Sequence, residues 1–211
     1  MTAFLLDGPE DAPVGVLLAH GAGAAMDSGT MTAAARALAA TGLRVARFEF
    51  GYMAARRTGG KGGPPRAEAV MPEFVAAVAA LGPGAPLVIG GKSMGGRVAS
   101  MVADGLHAEG KVAGLLCLGY PFHPPGKPAQ LRTAHLARLA TPALIVQGTR
   151  DPFGTREEVV SYALSPAIRV LWLEDGDHDL RPRKAVSGFT AAGHLATMAR
   201  EVAAWAGRLP G

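Results

Sequence analysis

Six short apolar runs punctuate the chain, at 14–19, 43–48, 87–89, 112–118, 143–146 and 168–173, and most are continuous rather than alternating with polar residues. A strand with one face in water alternates; a continuous run suits a strand buried on both faces, as in a parallel sheet covered by helices. The segments between the runs carry the complementary signal. Residues 30–40 are alanine-rich and are followed by Gly42, a good helix stop. Val70, Phe74, Val78 and Leu81 recur every three or four positions and form one apolar face, with Pro72 in a first helical turn. Residues 95–107 follow the third run directly, and 189–205 read as a closing helix. Thr155 and Glu158 form a capping-box pattern ahead of Val159, Val160 and Tyr162. Strand and helix in repeated alternation predict an α/β fold: a mostly parallel sheet of about six to seven strands with helices on both faces. At 211 residues, with no internal repeat or linker, 1–211 is expected to form a single domain.

Two stretches interrupt the rhythm. Residues 51–65 are rich in Gly, Arg and Pro, and 121–128 contain four prolines. Both read as loops following strand ends, the edge of an open α/β sheet where ligands bind. The composition is that of a folded globular protein, 49% apolar and 18% charged. The net charge of +4 is dispersed, with small basic groups at Arg56, Arg57, Lys61 and Arg66 and at Arg181, Arg183 and Lys184. They read mainly as solvated loop charges, with an anion-attracting rim as the alternative; a nucleic-acid surface would be denser and interleaved with aromatic residues. No apolar run reaches the ~18 residues of a membrane span. Asp7, Glu10 and Asp11 precede the first strong apolar stretch, an order unlike a secretory signal, and the lone Cys117 forms no internal disulfide. These features lead us to expect a cytoplasmic enzyme.

The segment Gly90-Gly91-Lys92-Ser93-Met94-Gly95-Gly96-Arg97 carries the strongest chemical signal. Gly91-x-Ser93-x-Gly95 follows a strand and opens a helix, the setting of a nucleophile elbow. A serine there sits on a turn too tight for side chains two positions either side, and the helix N-terminus behind it favours developing negative charge. The same segment looks like the end of a phosphate-binding P-loop, but that motif requires glycine where Pro86 stands. Cys117 lies within an apolar run and reads as packing.

A serine hydroxyl needs a base, and the base needs an orienting group. In this type of fold the order is nucleophile, acid, histidine. Asp151 follows the strand-like run ending at Val146, and His178 follows the one ending at Leu173. Asp151 also suits an ordinary Asp-Pro turn with Pro152, and Asp175 and Asp177 compete as the acid, though they more naturally shape the turn carrying His178. His135 and His194 read as surface or packing residues, His107 as a helix-end charge, His123 as a candidate pocket residue, and His20 as a structural residue holding its loop. Two oxyanion donors are expected: the Met94 N–H, and the Ala22 N–H from the small-residue loop Leu18-Ala19-His20-Gly21-Ala22-Gly23-Ala24. No cluster has metal-ligand spacing and no Gly-x-Gly-x-x-Gly opens a dinucleotide fold, so neither metal nor cofactor is expected.

Together, Leu-Ala-His-Gly-Ala-Gly at 18–23, Phe-Glu-Phe-Gly-Tyr-Met at 48–53 and Gly-Gly-Lys-Ser-Met-Gly-Gly-Arg at 90–97 make the chain resemble compact α/β-hydrolases of the dienelactone hydrolase-like group. Within it the chain is similar to the subgroup of testis-expressed hydrolase-like proteins and the hydrolase-like subunit of a histone acetyltransferase complex. The resemblance implies the α/β-hydrolase fold and the triad Ser93, Asp151, His178. It implies no substrate, since dienelactone hydrolases proper carry cysteine where this chain has Ser93. The expected activity is hydrolysis of an ester or related acyl bond in a small substrate, with no large cap, because the connection between the runs ending at Leu118 and starting at Ala143 is short. A silent hydrolase-fold interaction module is the alternative. Oligomeric state is not legible.

Overall fold

The computed structural model describes residues 2–210. Seven strands form one sheet: β1 (Phe4–Asp7), β2 (Gly15–Ala19), β3 (Arg44–Phe48), β4 (Leu87–Lys92), β5 (Gly114–Leu118), β6 (Ala143–Gly148) and β7 (Ile168–Leu173). Their order is β1-β3-β2-β4-β5-β6-β7, and every pairing is parallel except β1 with β3. The alternating runs predict this mostly parallel sheet, and its architecture is the α/β-hydrolase fold that the resemblance implies. Burial on both faces holds well for the inner strands; β7, at the sheet edge, is only partly buried.

Helices cover both faces. On one, α3 (Met71–Leu81) and α4 (Met94–Ala108) press Phe74, Ala77, Val98 and Val102 against Ile89, Leu115 and Ile145. On the other, α1 (Gly29–Ala39) and α7 (Ala191–Ala206) press Met31, Leu38, Met198 and Val202 against Val88, Leu116 and Val146. Neighbouring positions of a strand thus serve opposite cores, which is why the runs contain so few polar residues.

Two elements depart from the reading of the sequence. β1 was not anticipated: it is a four-residue antiparallel edge strand, held partly by the Arg47 to Asp7 ion pair at 2.8 Å. Residues 51–65 were expected to be all loop, yet α2 (Gly51–Arg57) opens them. Its start is fixed from outside, by Glu73 Oε2 accepting the Gly51 N–H at 2.6 Å, and by buried Met53. Two short helices complete the set, α5 (Arg156–Val159) with both halves of the expected capping box, and α6 (Lys184–Ser187). The β5 to β6 connection carries only a 3-10 turn at Leu136–Arg138, so no helical cap grows from it. Among the described residues no helix is long and apolar enough to cross a membrane.

The chain runs from β2 outward to β3 and then back across to β4 on the other side of β2. The C-terminal ends of β2 and β4 therefore flank the point where the winding reverses, the crevice in which open α/β sheets bind ligands.

Candidate active site

Ser93 leaves β4 and caps α4 with φ +51° and ψ −115°, a conformation that L-residues other than glycine rarely hold. Close backbone packing locks it there. A Cβ on Gly91 or on Gly95 would run into the Ala19 carbonyl at the end of β2. The two glycines are thus the condition for β2, the elbow and α4 to meet. The Ser93 N–H itself donates to Leu118 O at 3.0 Å, tying the turn to β5.

The loops after β6 and β7 bring Asp151 and His178 to the same edge. His178 Nε2 lies 2.9 Å from Ser93 Oγ, and His178 Nδ1 lies 2.8 Å from Asp151 Oδ2. Asp151 is fully buried, whereas the His178 side chain keeps 20% exposure. Asp151 Oδ1 accepts the Phe153 N–H at 2.9 Å. With Nδ1–H committed to the carboxylate, Nε2 is left with its lone pair toward the serine hydroxyl. Asp175 and Asp177 do not approach the ring's Nδ1. Asp175 accepts from Arg150 Nε at 3.1 Å and from the Arg183 N–H at 2.6 Å; the Arg183 guanidinium beside it holds its carboxyl well below the usual carboxylate range. Asp177 Oδ1 takes the Asp179 and Arg181 N–H groups. Both shape the loop that presents His178.

Two neighbours of the relay were not singled out from the sequence. Gln147, wholly buried near the end of β6, donates from Nε2 to Asp151 Oδ2 at 2.9 Å and accepts the Tyr120 N–H at 2.7 Å. The signal available was a lone polar residue at the end of an otherwise apolar run. Phe153 stacks on the His178 ring, centroids 4.1 Å apart. Nothing in Asp-Pro-Phe announces that contact.

The loop after β2 borders the serine: a Cβ on Gly21 would lie 3.8 Å from Ser93 Cβ. Neither the Ala22 N–H nor the Met94 N–H donates to another group among the described residues. Two side chains hold this loop. His20 is fully buried, its Nδ1–H donating to Gly21 O at 2.7 Å and its Nε2 accepting the Phe50 N–H at 3.1 Å. Burial lowers its pKa, which keeps the ring neutral. Tyr52 donates to Ala22 O at 3.0 Å, with its hydroxyl pKa pushed up to about 12 by burial.

The other candidates lie elsewhere. His123 is buried between Pro124 O and Glu158, tying the proline-rich loop to α5. His135 pairs with Ser100 Oγ at 2.8 Å, His107 donates to Val112 O across the turn after α4, and His194 meets Leu180 O. Cys117 is buried against Gly96, its thiol pushed far up by desolvation. Among the described residues no group of three or more His, Cys, Asp or Glu is disposed to hold a metal ion.

With this fold and a serine–histidine–carboxylate relay at its switch point, the chain belongs to the alpha/beta hydrolase domain family, whose profile matches residues 12–207. Among solved structures it is similar to a serine hydrolase without lid from Xanthomonas campestris, at 20% identity and TM-score 0.71, covering 99% of this chain and 89% of that one. A dienelactone hydrolase from Anabaena variabilis gives 20% identity and TM-score 0.70, covering 96% and 89%. The esterase domain of a Rhodothermus marinus protein gives 20% and 0.67, covering 98% and 92%.

Proposed function

We propose that the chain is a serine hydrolase that cleaves small carboxylic esters or related acyl compounds through Ser93, His178 and Asp151. The observation that carries this reading is the unbroken relay from hydroxyl to imidazole to buried carboxylate, each contact under 3 Å. His178 Nε2 accepts the Ser93 proton as Oγ attacks the acyl carbonyl, and Asp151 stabilises the imidazolium without itself taking the proton. The tetrahedral oxyanion is held by the N–H groups of Met94 and Ala22, reinforced by the N-terminus of α4. His178 then protonates the leaving group, giving an acyl-serine. A water deprotonated by His178 attacks that ester, and the acid leaves as Ser93 regains its proton.

Several features support the finer parts of this reading. The absence of a helical insertion between β5 and β6 suits small or flexible acyl groups reached from solvent. The three motifs at 18–23, 48–53 and 90–97 support kinship with the testis-expressed and acetyltransferase-complex hydrolase-like subgroup. A family match over 12–207 supports reading 1–211 as one hydrolase domain.

The test is a panel of p-nitrophenyl acyl esters and acyl thioesters from two to eight carbons. We expect turnover of at least the short members. Ser93→Ala is expected to lower kcat by roughly 10⁴-fold or more, a typical loss for removal of the nucleophile. Failure to hydrolyse any member would count against the proposal.

A further inference from the structure

Lys92, the residue before Ser93, lines a separate cavity of about 230 Å³ between α1 and α7. Neither Ser93, Met94 nor His178 lines it. Its floor is apolar and buried, built from Met31, Ala34, Leu118 and Met198, while Asp179 and Arg181 stand exposed at the rim. The Lys92 side chain is nine-tenths buried, at 10% exposure. Its ammonium carries three protons, yet among the described residues its one ion pair is a 3.4 Å approach to Asp179, itself 47% exposed. Desolvation lowers the Lys92 pKa, against the raising influence of Asp179, Asp151 and Asp177.

The surroundings favour an anion further. The first residues of α1, Gly29 to Met31, and of α7, Ala191 and Ala192, border the cavity, so two long helices bring their positive ends to its mouth. Arg181 Nη2 reaches Thr30 Oγ1 at 3.5 Å across the rim. A buried cation whose ion-pair partner Asp179 is itself exposed, at one end of an apolar chamber, matches a molecule with one anionic head and a hydrocarbon body. An apolar cavity of ~150 Å³ holds benzene, so this one suits roughly ten non-hydrogen atoms.

We propose that this cavity is a second binding site, taking a small amphipathic carboxylate whose head pairs with Lys92 and whose tail lies against Met31, Leu118 and Met198. Asp179 swings to solvent as the ligand carboxylate replaces it. The site is independent of the chemistry assigned to Ser93, although Asp179 adjoins His178 in the chain and a Cβ on Gly119 would lie 3.3 Å from both Lys92 Nζ and His178 Nδ1.

The experiment is a titration of the full chain, ¹³C-labelled at its methionine methyls, with octanoate, 1-octanol and octylamine. Octanoate is expected to give saturable shifts at Met31 and Met198, with the alcohol and the amine at least tenfold weaker. Lys92→Met should abolish the preference for the carboxylate, and Ala34→Leu, which fills the floor, should abolish binding; the second variant decides the matter if the first does not fold. Ser93→Ala should bind octanoate as the native protein does. Equal affinity for octanol or octylamine, binding retained in Ala34→Leu, binding lost in Ser93→Ala, or no saturable shift would each overturn the proposal.

Discussion

At the residue scale, Asp151 depends on a side chain that takes no part in bond making. Gln147 fixes Asp151 Oδ2 from β6 and satisfies the Tyr120 N–H in the same interior space. Gln147→Leu keeps the volume but removes these contacts and those to the Tyr120 and Gly154 carbonyls, leaving a buried N–H without an acceptor and a buried carboxylate short of a donor. Such orphaning costs about 1–3 kcal/mol of stability. If the Ser93 relay is the working site, kcat should also fall by roughly tenfold to a hundredfold with KM little changed, because Gln147 does not face substrate. A variant losing stability but no kcat would contradict the positioning role. That Ser93, Asp151 and His178 meet was legible in the sequence because each follows a strand end in the chain order the relay requires. The roles of Gln147 and Phe153 were not, because they depend on where the β6 loop folds back, which no local pattern encodes.

At the scale of elements, the elbow is a close-packing problem before it is a chemical one. Gly95 lies against the Ala19 and His20 carbonyls, so a methyl group there must push α4 away from β2. Gly95→Ala is expected to cost about 1–3 kcal/mol and to lower Tm by ~2–12 °C in a domain of this size. Thermal unfolding checks it, and an unshifted Tm would mean that the contact is not as tight as described. The long elements were legible because buried strands and amphipathic helices write their periods into the chain. The α5 capping box was legible for a related reason, since both partners lie within four residues. β1 and α2 were not. β1 is a partly buried four-residue edge whose hold on the sheet includes an ion pair from Arg47, forty positions away. α2 is a short helix whose first N–H is satisfied by Glu73, on α3.

At the scale of the whole molecule, burial sets a pH dependence apart from any catalytic one. His20 and His135 both have pKa values lowered from the ordinary 6.5 chiefly by desolvation. Above that value both rings are neutral in the folded and unfolded chains, and the fold carries no penalty. Below it the unfolded chain binds protons that the folded rings refuse, so stability falls as the pH drops through 6.5. Melting curves should show Tm declining between pH 7 and 5.5, with a shallower decline in His135→Gln, which keeps a donor toward Ser100. An unchanged slope in that variant would remove His135 from the account.

The sheet's reversal at β2 and β4 gathers the elbow, the Ala22 loop and the β6 and β7 loops at one edge. The claim that this arrangement makes Ser93 nucleophilic is tested most directly by intact-protein and peptide mass spectrometry after treatment with a fluorophosphonate. One adduct on Ser93, absent in Ser93→Ala and formed far more slowly in His178→Ala, is the predicted result. An unlabelled native protein, or labelling indifferent to His178, would contradict the account and leave a hydrolase-shaped interaction module in its place.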